Sequence, residues 1–208
     1  MVELISENEG MTFSTSGLHD LCSYELSASV NDITLSDECE EFVQFILDYI
    51  STGNIIKDGE LVSYGYWITK AVLSENSVLK FSELEPEAAE FIEGISNTAK
   101  YWKLQHAICE KASAEFSPLN MDQKIAISDG VYEGDPVSAV RYPAPPHMSG
   151  WYLTTGKYDG NISSLKVVHA HHVSAKRPDL AKYFALPYGY RFHSDDDSVW
   201  FDQKVAQQ

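Results

Sequence analysis

Cysteine is scarce: Cys22, Cys39 and Cys109 are the whole complement. An odd, widely spaced set offers no disulfide framework and no paired spacing for zinc, and it suits a reducing compartment. Basic residues are scarce too, with 15 Lys and Arg against 31 Asp and Glu, a formal charge of −16. That balance excludes a conventional nucleic-acid binder, because phosphate binding needs cations to displace counterions. It also disfavours anionic membrane surfaces. No apolar run approaches the ~20 residues of a membrane helix. Glu3, Glu7 and Glu9 stand where a secretory leader would be basic, so the expected location is the cytoplasm. No G-x-S-x-G elbow, Walker A loop or G-x-G-x-x-G is present, so nucleophile-elbow hydrolysis and nucleotide cradling lack their usual signals.

What is present suffices for a folded core: 208 residues, 44% hydrophobic and 12% aromatic. The acidity is unevenly placed. Residues 1–140 hold 25 acids and 7 bases, −18, whereas residues 141–208 hold 6 acids and 8 bases, +2. Five of the seven histidines follow the split. The break falls at Tyr142-Pro143-Ala144-Pro145-Pro146-His147, where three prolines in four residues favour a stiff extended spacer. The reading is an acidic module over 1–140, a proline-rich linker over 141–149 and a small module over 150–208. The alternative is a proline-rich loop within one domain.

Hydrophobic periodicity gives the elements. A strand is expected over 24–30. Ser36 is a good N-cap, and Cys39, Phe42, Val43, Ile46, Leu47 and Ile50 recur at helical spacing behind it. Lys57-Asp58-Gly59 is a turn signal, and residues 61–69 read as one strand. Pro86 suits the first turn of a second helix, on which Glu87, Glu90 and Glu93 would share a face. Short strands are expected near Ile125 and Val137, then over 150–156 and 164–172. A short helix follows over 177–184, and strands over 188–193 and 199–202 flank the acidic hairpin loop Ser194–Ser198. The fold class is α+β: two modules, each a mostly antiparallel sheet packed with helices.

The candidates for chemistry are few. On a strand, His169 and His171 would share a face and His172 would point away, so two imidazoles could serve a metal only with ligands from elsewhere, such as His193 or Asp202. The plainer alternative is surface or partner-facing histidines, and no metal site, cofactor or catalytic residue is assigned. Asp195, Asp196 and Asp197 lack the spacing and central Gly of a calcium loop and read as a hairpin tip. Asp37, Glu38, Glu40 and Glu41 form one acidic cluster; Glu83, Glu85, Glu87, Glu90 and Glu93 form another. A solvated face is the ordinary fate of such runs, and a binding surface for a basic partner is the sharper reading.

The pattern Ser149-Gly150-Trp151-Tyr152, then Pro178-Asp179-Leu180, Leu186-Pro187-Tyr188-Gly189-Tyr190-Arg191-Phe192, an acidic turn and Val199-Trp200-Phe201-Asp202 resembles a bacterial domain family. It is the thirty-third family of immunity proteins in polymorphic toxin systems, and the likeness spans about a quarter of the chain. Gly17-Leu18-His19-Asp20, the following strand and helix, and Lys57-Asp58-Gly59-Glu60 resemble bacterial domains distantly akin to the suppressor-of-fused group. The first resemblance implies an antitoxin that binds a cognate effector toxin stoichiometrically and covers its active site, with no catalysis of its own. A toxin that attacks nucleic acid would often be basic, which suits an acidic partner. Asp37, Glu38, Glu41, Glu83, Glu87, Glu90, Asp195, Asp196 and Asp197 are then the expected contact residues. The competing readings are a metal-dependent enzyme built on His169, His171 and His172, and a scaffold for an unrelated host protein. Oligomeric state is not legible.

Overall fold

A computed structural model describes residues 2–207. The chain divides into two compact units, Met1–Lys103 and Leu104–Gln208.

In the first unit the described strands are β1 (Glu3–Glu7), β2 (Thr12–Ser16), β3 (Glu25–Ser29), β4 (Leu61–Tyr64), β5 (Trp67–Leu73), β6 (Val78–Leu84) and β7 (Phe91–Glu93). They form a sheet ordered β1-β2-β3-β6-β5-β4, with β7 also on β6. All pairs are antiparallel except β3 and β6. The short helix α1 (His19–Cys22) joins β2 to β3, and α2 (Ser36–Ser51) lies against β2 and β3. The six apolar residues expected on one face of α2 are all buried. Phe42 is fully buried and meets the rings of Tyr64 and Phe81 edge-on, at 5.1 and 5.0 Å. Ser36 is not the cap. A 3-10 turn over Ile33–Leu35 leads straight into α2, and Asp32 caps that turn by accepting from the Thr34 N–H at 2.9 Å. Residues 61–69 are likewise not one strand: Gly65 and Tyr66 turn the chain between β4 and β5.

The helix expected at Pro86 is a hairpin. Glu85 N–H donates to the Glu90 carbonyl at 2.9 Å, closing the turn between β6 and β7, so Glu87 and Glu90 sit in a loop and share no helix face. The helix α3 (Ser96–Lys111) starts after Gly94, which adopts a φ of +89° that an L side chain rarely takes. The division between units falls within α3.

The second unit holds β8 (Lys124–Ile127), β9 (Ser138–Arg141), β10 (Met148–Thr154), β11 (Lys166–His169), β12 (Tyr190–His193) and β13 (Ser198–Phe201). They form a six-stranded sheet ordered β11-β8-β10-β9-β12-β13, antiparallel except for β8 with β10. The helix α4 (Ala170–Lys176), a 3-10 helix over Pro178–Tyr183 and the terminal α5 (Gln203–Ala206) complete it. Trp151, Leu153, Leu180, Tyr183, Phe184 and Phe192 are fully buried. Each unit is therefore an α+β module around a mostly antiparallel sheet.

The proline-rich segment is not a linker. It joins β9 to β10, neighbouring antiparallel strands, and Tyr142 N–H donates to the Gly150 carbonyl at 2.9 Å. The module boundary expected at 141–149 lies instead at 103/104. The charge divides with it: 19 acids and 5 bases before the boundary, −14, and 12 acids and 10 bases after it, −2.

Candidate functional site

The outer face of α2 carries an acidic cleft. Asp37, Glu40, Glu41, Gln44, Phe45, Asp48, Tyr64 and Trp102 line a shallow depression of about 450 Å³. Its floor is aromatic: Tyr64 stacks on Trp102 at 4.1 Å, and Phe45 tilts against Tyr64 at 5.2 Å. Glu41 accepts from Trp102 Nε1 at 2.9 Å, fixing the indole. Burial, then the nearby Glu41 and Glu38 charges, push the Tyr64 phenol above its usual range, so it stays neutral. Four carboxylates thus surround ring faces without a cation in the lining. Glu38 stands apart from this group, since its carboxylate pairs with Lys103 Nζ at 3.0 Å.

The second acidic cluster does not assemble. Glu83 is buried, 1% exposed, and works inside the fold. Its carboxylate accepts from the N–H groups of Asn97 and Thr98, both at 2.7 Å, and from the Thr98 hydroxyl at 2.9 Å. These are otherwise unpartnered donors at the start of α3. Burial raises the Glu83 pKa, opposed by those same donors. A buried cap offers nothing to a partner, so Glu83 is removed from the expected contact set. Glu87 and Glu90 remain exposed on the β6–β7 turn, outside any helix.

In the second unit the sequence motifs act as pins. Gly150 has φ +81°, and a Cβ there would collide with the Tyr142 carbonyl oxygen, so only glycine fits beside Trp151. Ser149 is fully buried and donates to the Lys124 carbonyl at 2.9 Å, tying β10 to β8. Arg141 is 3% exposed and donates to the carbonyls of Ser149 at 2.9 Å, Ser117 at 2.8 Å and Leu186. Its guanidinium also lies 4.8 Å from the Tyr188 ring centre. Burial pushes the Arg141 pKa down to about 10, still charged at neutral pH. Arg177 forks onto Asp179 at 2.9 and 2.8 Å and donates to the Val131 carbonyl at 2.9 Å. Arg141, Ser149 and Arg177 thus hold loops and strands together, and none of them is a nucleophile paired with a base.

Residues 104–202 match the Imm33-like domain family. The likeness covers just under half of the chain. No curated protein and no solved structure matches the chain. The match makes this unit similar to an immunity-protein family, the family that the motifs from Ser149 to Asp202 resemble, and it begins where the second unit begins. It extends the likeness upstream of Ser149 to take in β8, β9 and the end of α3.

Two surfaces of the second unit stand out. Val140, Tyr142, Pro143, Tyr152, Thr154, Tyr158, Ile162 and Leu165 line an aromatic groove of about 500 Å³, with Tyr142 and Tyr152 edge to face at 5.5 Å. The hairpin tip between β12 and β13 bears Asp195, Asp196 and Asp197, all exposed. Asp197 accepts from Lys182 Nζ at 2.7 Å and from the Tyr183 hydroxyl, and Asp196 accepts from the Ser198 N–H at 3.0 Å. Those bonds hold both carboxylates below their ordinary pKa.

The histidine stretch differs from its expected form. The strand stops at His169 and α4 begins at Ala170, so the chain turns where a straight strand was expected. His172 therefore does not point away. The rings of His169, His171 and His172 converge, with ring centres 5.4, 5.7 and 4.2 Å apart. His171 is 9% exposed, and its Nδ1 lies 3.2 Å from the Met121 carbonyl oxygen. Burial lowers the His171 pKa, aided by His172 and His169 and opposed by the Met121 carbonyl and Asp122. His193 and Asp202 are engaged elsewhere, with Ser138 at 2.8 Å and Arg191 at 2.8 Å.

Proposed function

We propose that this protein is an immunity protein, an antitoxin of a polymorphic toxin system. It neutralises a cognate effector toxin by stoichiometric binding that covers the toxin's active site. The observation that carries this reading is the Imm33-like match over residues 104–202. The protein acts by binding and not by catalysis, in the cytoplasm, on a basic toxin such as a nuclease. A charge of −14 on residues 1–103 attracts such a partner and speeds encounter.

The α2 cleft is the surface that suits a basic partner best. A Lys or Arg side chain placed over Tyr64, Trp102 and Phe45 would gain cation–π attraction, while Asp37, Glu40, Glu41 and Asp48 supply the opposite charge. Asp195 and Asp196 offer a smaller anionic knob, and Asp37 and Glu41 are the contact residues with the most support.

The test is co-expression with the effector encoded beside this gene. The wild-type chain is expected to restore growth. Asp37→Lys with Glu41→Lys is expected to weaken protection while the protein stays folded. Failure of the wild-type chain to protect overturns the reading. Protection undiminished by the double reversal moves recognition to the Tyr142, Tyr152 and Tyr158 groove.

A further inference from the structure

His169, His171 and His172 each offer one ring nitrogen, and these atoms all lie within 4.8 Å of one another. We infer that this cluster, at the junction of β11 and α4, is a binding site for a divalent transition-metal ion such as zinc. Three features of the geometry point to it.

The first is convergence. Ligand atoms 2.0–2.1 Å from a tetrahedral ion stand about 3.4 Å from one another. The three nitrogens need to close by little more than ~1 Å at most to reach that spacing. His172 is exposed and His169 half-buried, so both rings have room to rotate inward.

The second is orientation of the central ligand. A carbonyl oxygen only accepts, so His171 Nδ1 carries the proton in its contact with Met121, and Nε2 presents its lone pair. Metal-bound histidines are held by this kind of outer contact, in which the second ring nitrogen donates to a carbonyl or carboxylate. The backbone reinforces it: His171 N–H donates to the same Met121 carbonyl at 3.1 Å, and Ala170 N–H to the Gln123 carbonyl at 2.8 Å. Asp122 places an oxygen 3.7 Å from His171 Nδ1, adding a negative charge behind the ring.

The third is the donor set. Neutral imidazoles suit zinc, copper and nickel far better than calcium or magnesium, which prefer oxygen. Three protein ligands would leave one tetrahedral position for a water. Metal capture here does not depend on toxin binding, and the two tests fail separately.

The experiment is a titration of untagged, full-length protein with zinc chloride, by calorimetry, repeated with cobalt(II) and read by visible absorption. One zinc per chain is expected, together with the intense cobalt bands of a four-coordinate nitrogen site. His172→Ala changes an exposed side chain and leaves the core intact. His172→Ala and His169→Gln are each expected to weaken zinc binding about tenfold or more, at least what losing an outer-shell partner costs. Zinc left free at tens of micromolar, or bound equally well by both variants, overturns the site.

Discussion

Glu25 shows how a single carboxylate can hold a loop. It accepts from the Thr15 hydroxyl at 2.7 Å and from the N–H groups of Gly17, Leu18 and His19 at 2.9, 3.2 and 3.0 Å. Partial burial would raise its pKa, but these donors together outweigh burial and hold it below the ordinary carboxylate value. A depressed folded-state pKa contributes stability that is present above the unfolded value near pH ~4.3 and is lost as pH falls through the folded value. Glu25→Gln is therefore expected to be less stable than wild type at neutral pH and to lose part of the acid dependence. Urea midpoints measured from about pH 7 to pH 3 check this, and parallel curves for the two proteins would contradict it. Arg141 makes a stronger demand. Arg141→Met removes the charge that three carbonyls share, and an expected loss of about 2–4 kcal/mol follows from leaving buried acceptors unmet. Neither role is legible in the sequence, because the partners are backbone groups brought up by folding. The same holds for Glu83. It reads as one more surface acid, yet it caps a helix whose first residue lies thirteen positions later.

At the scale of elements, α2 is the most legible part of the chain. Its six apolar residues at helical spacing fix both the helix and its buried face. Two phenylalanines on it separate packing from recognition. Phe42→Ala empties a fully buried site and is expected to cost about 3–5 kcal/mol in chemical denaturation. Phe45 is 45% exposed on the cleft side, so Phe45→Ala is expected to leave stability within about 0.5 kcal/mol while weakening toxin affinity. Equal losses of stability from both would contradict this division. Elsewhere local signals misled for physical reasons. Pro86 suits a helix start, but it also suits a tight turn, and the β6–β7 pairing decided for the turn. The histidine stretch has β-branched Val167 and Val168 before it and helix-forming Ala170 and Ala175 within and after it. A period-of-two reading carried the strand three residues too far. That reading left two imidazoles on one face and His172 pointing away; the turn at Ala170 brings all three together.

For the whole molecule, the prolines and the charge count suggested one seam near 141–149, whereas the chain divides at 103/104. Three prolines fit a tight connection between β9 and β10 as well as they fit a spacer, and strand pairing across them is a tertiary fact. Moving the seam to 103/104 changes the balance to −14 and −2 but leaves the acidity on the first unit. The Imm33-like likeness and the strong field therefore belong to different parts of one chain. The proposed function joins them, with the acidic unit drawing in a basic toxin that the chain silences. Calorimetric titration of the purified chain with the effector encoded beside it, at low and high salt, tests that claim most directly. A complex of one chain to one toxin is predicted, inactive as a toxin and weakening as salt rises. An effector that does not bind, or that binds and keeps its activity, would contradict the account.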